Sequence, residues 1–141
     1  MKTEFLSESI EDTGKLAQEM GSKAKQGEVY ALYGDLGTGK TLFTKNFALG
    51  MEITEEITSP TFTLLEEYDA EIPLYHFDLY RIESPEELDF LSFEEYWEGK
   101  GVSVIEWAER AQDRLPENTV KIYITYIDSC RRKISIEHPD Y

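Results

Sequence analysis

The chain has 141 residues, 29 acidic against 14 basic side chains for a formal charge of -15, and 40% hydrophobic residues. That length supports one domain with an apolar core and is short for two. The apolar content excludes an acidic disordered tail, and the charge argues against a surface that grips nucleic acid by counterion release.

The elements are read from hydrophobic period and from start and stop signals. Ser9 caps a helix over 9–25 with Leu16, Ala17, Met20 and Ala24 on one stripe, and Gly27 stops it. Residues 29–33 form a short apolar run suited to a buried central strand, left at Gly34. A helix over 40–49 follows, with Leu42, Phe43, Phe47 and Ala48 apolar and Gly50 at its end. Strands over 62–68 and 74–80 flank a turn at 69–73 and pair as a hairpin. Ser84, Pro85 and Glu87 start a helix with a capping box, Ser92 and Glu95 restart it, and Gly99 and Gly101 close the segment. A strand over 102–105 leads to a helix over 107–114, which ends at Leu115 and Pro116. Residues 120–127 and 133–137 alternate as a final antiparallel pair joined by 128–132. Without repeats or low-complexity stretches, the expected fold is a single α/β domain over 1–141, a mixed β-sheet flanked by helices.

The strongest chemical signal is Gly34-Asp35-Leu36-Gly37-Thr38-Gly39-Lys40-Thr41, which satisfies the G-x-x-x-x-G-K-[ST] phosphate-loop pattern. A buried strand runs into it and a helix, beginning with Leu42 in its first turn, runs out. Backbone N–H groups and the helix N-terminus then converge on phosphate oxygens. Lys40 supplies a mobile charge for the β and γ phosphates, and Thr41 offers a hydroxyl to Mg²⁺. Phosphate transfer or hydrolysis also needs a carboxylate by the metal or the nucleophile. Asp78 and Glu106 each end a short apolar run, and the expectation is that one serves the metal and the other orients the attacking water.

Other residues leave alternatives open. The loop at 58–61, Thr-Ser-Pro-Thr, reads as a γ-phosphate sensor or as a plain turn. His76 reads as a core or surface histidine rather than a ligand. Trp107 walls the nucleotide pocket or packs in the core. Arg131, Arg132 and Lys133 form the one concentrated basic patch, from which Arg132 is assigned to the nucleotide set. The patch as a whole also suits an acidic partner, RNA, or the blunting of a hairpin edge. No N-K-x-D or T-K-x-D sequence reads guanine, so ATP with Mg²⁺ is the expected cofactor pair. A small kinase is the rival enzyme, but the chain has little room for an arginine-bearing lid, which favours water as acceptor.

Four blocks in order carry a resemblance: the phosphate loop at 34–41, Thr-Ser-Pro-Thr-Phe at 58–62, His-Phe-Asp-Leu-Tyr-Arg at 76–81 and Ile-Glu-Trp-Ala-Glu-Arg at 105–110. Together they resemble the TsaE family, bacterial ATPases of tRNA threonylcarbamoyladenosine biosynthesis. Thr38 departs from the family's more frequent alanine. The resemblance implies a cytoplasmic phosphate-loop ATPase that acts with the TsaB and TsaD proteins and resets them between turnovers, with tRNA met only indirectly and no membrane involved. It further implies that Lys40 serves the phosphates, Thr41 and Glu106 the Mg²⁺, Asp78 the water and Trp107 the pocket. Intrinsic turnover is expected to be weak and stimulated by partners, with Arg81 and Arg110 available as internal cations. The alternative within the same complex is a module whose docking is gated by nucleotide. The single cysteine, Cys130, and the lack of any apolar run near the roughly 20 residues of a membrane span fit the cytoplasmic expectation.

Overall fold

The computed structural model describes residues 2–34, 39–57, 64–91 and 93–139. Seven strands form one mixed sheet in the order β1-β7-β6-β2-β5-β4-β3. The central strand β2 (Val29–Tyr33) runs parallel to both β5 (Val102–Glu106) and β6 (Val120–Tyr126), and β4 (Leu74–Asp78) runs parallel to β5. The edges are antiparallel: β3 (Leu65–Tyr68) pairs β4 at one side, and β7 (Arg132–Glu137) and β1 (Lys2–Ser7) extend the other.

Strand β2 is apolar without alternation because both of its faces are covered. Tyr30 and Leu32 join a core with Phe43, Phe47 and Ala17 from α1 (Ile10–Lys23) and α2 (Lys40–Gly50). Val29 and Ala31 join a second core with Phe77, Ile105, Leu88, Phe93 and Trp97, beneath α3 (Glu87–Leu91) and α4 (Glu94–Trp97). Side chains alternate across a strand, so Leu74, His76 and Asp78 of β4 share the α2 side with Val102, Val104 and Glu106 of β5.

The helix α1 starts where its cap predicts, with the Ser9 side chain accepting from the Asp12 amide at 3.2 Å. It stops at Lys23, two residues short of the expected end. Its most buried positions are Thr13, Gly14, Ala17 and Gly21, while Leu16, Met20 and Ala24 are only partly buried. The stripe is rotated because α1 meets α2 through glycine. A Cβ on Gly21 would stand 2.0 Å from the Phe47 carbonyl oxygen, and one on Gly50 would stand 2.1 Å from that of Gln18.

Two further expectations are corrected, and one strand is new. The strand over 74–80 ends at Asp78, where the Leu79 amide turns to the Glu106 carbonyl at 3.1 Å. The helix over 107–114 is instead two 3-10 turns, Ala108–Arg110 and Gln112–Arg114, with Trp107 before them in a left-handed conformation that no α-helix accommodates. Strand β1 is unforeseen; it is mostly exposed and is held by pairing with β7, Phe5 opposite Ile134. The segment started by Ser84 and Glu87 is correct in kind. The Glu87 carboxylate accepts from the Glu83 amide at 2.6 Å and the Ser84 amide at 3.0 Å. Residues 62, 63 and 92, which belong to the predicted strand and helix restart, lie outside the described residues.

Candidate nucleotide and metal site

Strand β2 delivers the chain to Gly34 at the C-terminal edge of the parallel strands, the end at which α/β sheets bind ligands. Asp35, Leu36, Gly37 and Thr38 of the predicted loop lie outside the described residues, as does the stretch 58–63. The loop rejoins at Gly39, the N-cap of α2, with φ 107. A Cβ there would meet nothing within 4 Å among the described residues, and the positive φ by itself favours glycine. Among the described residues no side chain caps α2, an arrangement that leaves its leading amides suited to an anion.

Lys40 is buried. Its Nζ donates to the Gly34 carbonyl at 2.7 Å and stands 3.8 Å from the centroid of the Trp107 ring. The indole also meets Tyr80, with ring centroids 5.0 Å apart, and the Arg110 guanidinium at 6.0 Å. Trp107 reaches this position with φ 56 and ψ 40, a conformation rarely adopted by a large side chain. It is partly buried against the second core, the packing alternative, while its ring also faces Lys40.

Glu106 ends β5 and is 3% exposed. Its Oε1 accepts from the Thr41 hydroxyl at 3.1 Å, which ties the strand end to the head of α2. Its Oε2 takes His76 Nε2 at 2.5 Å and lies 3.4 Å from the Thr44 hydroxyl, which also reaches the Lys40 carbonyl at 3.1 Å. Asp78 is the register partner of Glu106 across the parallel pair, with Oδ1 accepting from the Tyr80 amide at 3.0 Å. Burial holds the Asp78 carboxyl above the ordinary aspartate range. The Glu106 charge pushes it the same way, against the Tyr80 amide, His76 and Lys40.

The donor set at this point is the Thr41 hydroxyl and the Glu106 carboxylate, with Asp78 adjacent: hard oxygens, as Mg²⁺ prefers. Among the described residues no three His, Cys, Asp or Glu side chains converge to cage a metal alone. A site of one or two protein oxygens completed by phosphate and water fits Mg²⁺ better than it fits zinc or calcium.

Arg132 lies beside the same helix head. Together with Gly39, Leu42, Ile10, Thr13 and Cys130 it lines a cavity of about 190 Å³. Its guanidinium donates to the Asp128 and Arg131 carbonyls and stacks 4.7 Å from the Tyr126 ring. The rest of the basic patch is largely neutralised: Arg131 pairs with Asp128 at 2.7 Å and Lys133 with Glu4 at 3.5 Å. Arg110 donates to the Ile82 carbonyl at 3.4 Å.

Of the residues expected from sequence, Lys40, Thr41, Asp78, Glu106 and Trp107 come together at one point, Gly34 meets it through Lys40, and Gly39, Leu42 and Arg132 line the separate cavity beside the head of α2. Sequence reasoning missed two members. Thr44 follows Thr41 by one helical turn, and His76 precedes Asp78 by two residues on a strand, so both spacings put the pair on one face. His76 takes the core alternative of the core-or-surface reading, and its Nε2 is committed to the Glu106 carboxylate.

A family model described as "Threonylcarbamoyl adenosine biosynthesis protein TsaE" matches residues 7–134. Two relatives carry the name tRNA threonylcarbamoyladenosine biosynthesis protein TsaE. That of Bacillus subtilis is 44% identical over 126 residues, covering 89% of this chain and 78% of its own. That of Treponema pallidum is 44% identical over 131 residues, covering 93% and 97%. The crystal structure of Bacillus subtilis YdiB superposes with a TM-score of 0.86 at 35% identity, over 99% of this chain and 87% of that one. With the family model spanning most of its length and both relatives close to half identical, the chain belongs to the TsaE family.

Proposed function

We propose that this chain binds ATP with Mg²⁺, hydrolyses it, and serves the formation of threonylcarbamoyladenosine in tRNA. Membership of the TsaE family supports the pathway. The observation that supports the chemistry best is the Thr41–Glu106 bond at the head of α2, with Asp78 in register beside it. Lys40 and the α2 amides hold the triphosphate tail, and Arg132 and Leu42 border the adenosine side. Thr41 and Glu106 would hold Mg²⁺, which screens the phosphate charge and draws electrons from the bond to be broken.

Asp78 orients a water in line with the γ phosphorus and accepts its proton as the bond to the β-γ bridging oxygen breaks, releasing ADP and phosphate. Trp107 shields Lys40 from bulk water. Hydrolysis by the chain alone is slow, since a phosphate loop without an inserted cation leaves transition-state charge unmatched. The TsaB–TsaD pair raises the rate and uses the cycle to reset itself. The protein is cytoplasmic and leaves tRNA contact to those partners, in keeping with a formal charge of -15. No helix among the described residues is long and apolar enough to cross a membrane.

The test is calorimetric titration of the purified chain with ATP and Mg²⁺, followed by phosphate release with and without TsaB–TsaD. Binding, with release that rises on adding the pair and vanishes in Glu106→Ala, is the expected result. No heat of binding in either setting, or label transferred to an acceptor other than water, would overturn the reading.

A further inference from the structure

His76 has no exposed surface, and it stands between Asp78 and packing residues: Leu74 before it on the same face and Val104 opposite in register. Its Nδ1 has no hydrogen-bond partner among the described residues. A buried imidazole with an unmatched nitrogen is a poor choice for a core, because an apolar side chain of similar size would remove the unsatisfied atom. What the ring gains is at Nε2, which meets Oε2 of Glu106. The last torsion of a glutamate is soft, so a carboxylate held at one oxygen turns easily. Here the second oxygen is held by a fully buried ring that β4 and β5 place two register pairs before Asp78 and Glu106, on the same face of the sheet. Oε1 is thereby aimed at Thr41.

We propose that His76 is a positioning residue that clamps Oε2 of Glu106, so that Oε1 stays turned toward Thr41 and toward the Mg²⁺ this point takes with nucleotide. The inference rests on the reading of the site as an Mg²⁺–nucleotide site. Partners that orient a ligating carboxylate set metal affinity without touching the metal, and their loss typically weakens it roughly 10- to 100-fold.

The experiment measures ATP affinity by calorimetry in EDTA and across a Mg²⁺ series, with melting temperature as a separate readout, for wild type, His76→Leu and His76→Gln. The leucine variant is expected to melt below wild type, because it leaves the buried Oε2 of Glu106 without its imidazole partner, but to bind ATP in EDTA as wild type does. Its half-saturating Mg²⁺ concentration is expected to rise roughly 10- to 100-fold. Glutamine, whose amide reaches the Nε2 position, is expected to recover most of the shift. A Mg²⁺ response within about twofold of wild type in the leucine variant would overturn the clamp, as would an equal loss of affinity in EDTA. If the leucine variant fails to fold, His76→Gln is compared with His76→Asn, whose amide stops at the Nδ1 position. Glutamine resembling wild type with asparagine displaced supports the clamp, and the two behaving alike overturns it. A wild type that gains nothing from Mg²⁺ defeats the underlying site reading, whereas a responsive wild type with an unchanged variant defeats the clamp alone.

Discussion

Substituting Gly21 with alanine tests whether the approach of α1 to α2 holds the head of the phosphate-loop helix in place. The added Cβ would lie 2.0 Å from the Phe47 carbonyl oxygen and 2.9 Å from its carbon. Carbon and oxygen settle at about 3.3 Å, so the two helices must part by roughly 1.3 Å. Both neighbours are backbone, so no side chain can swing aside. Phe43 and Phe47, both without exposed surface, would lose contact with the sheet as α2 lifts. Overpacking of this kind costs about 1–3 kcal/mol, with the upper end expected against rigid backbone. Alanine returns about 1 kcal/mol through helix propensity. The net loss is about 2 kcal/mol, a drop of roughly 6–10 °C in melting temperature for a domain of this size.

Gly14→Ala is the control. Its nearest neighbour is the Asn46 side chain at 3.0 Å, which can yield by giving up its bond to the Leu42 carbonyl or to Gln18. Propensity and the lost bond then nearly cancel, to within about 0.5 kcal/mol. Thermal unfolding followed by circular dichroism separates the two variants. Because α2 begins with Lys40 and Thr41, Gly21→Ala is also expected to weaken ATP binding. Equal melting temperatures for Gly21→Ala and wild type, or equal losses for the two variants, would refute the account.

Glu106→Gln keeps the side-chain shape and removes its charge; phosphate release is expected to fall about 100-fold while ATP binding in EDTA is preserved, as read by coupled assay and calorimetry. Asp78 is held above the usual range by burial, so its proton stays on to higher pH in the folded chain. Its contribution to stability is complete below the unfolded value and fades as pH rises through the folded one. With Asp78 in the proposed role of water-orienting base, hydrolysis is expected to decline with acid earlier than an ordinary aspartate predicts, and Asp78→Asn should abolish that acid limb along with most of the rate.

Tyr33, stacked on Tyr123 at 4.7 Å, is pushed up to about 12 chiefly by burial, with Tyr123 and then Glu109 and Glu137 adding to it. The stability this supplies is present below pH about 10 and is lost as pH rises through the folded value; absorbance titration of Tyr33→Phe should lack one late-ionising phenol. Arg132→Ala is expected to weaken ATP binding about tenfold, whereas Lys133→Ala on the adjacent position leaves it unchanged; equal effects would remove Arg132 from the nucleotide set.

The parallel core was legible because its strands are apolar on both faces and its loop is a motif. Residues 29–33 needed no alternation to be recognised, and the glycine-lysine-threonine signature marked where α2 begins. Strand β1 was not legible. Its exposed Lys2, Thr3 and Glu4 carry little apolar signal, and the strand exists because β7 offers an open edge. Pairing across 130 residues leaves no local mark. The turns after Trp107 were misread for a related reason: Ala108, Ala111 and Leu115 have helical spacing, but the left-handed step at Trp107 and tight 3-10 geometry follow from docking onto the second core. At the site, each chemical residue was visible one at a time. What the sequence could not display was that His76 and Thr44 both converge on Glu106, because that meeting depends on how β4 sits against β5 and how α2 lies over both.

The in-register parallel ladder of β4 and β5 makes the chemistry intolerant of frame shifts. Inserting one residue between 74 and 75 would turn His76 and Asp78 to the far side of the sheet and bring Phe77 to face Glu106. The exposed tip of the β3–β4 hairpin at 69–71, at the opposite end from the phosphate loop, has no such constraint. An epitope or fluorophore grafted there would ride on the molecule without disturbing its working end.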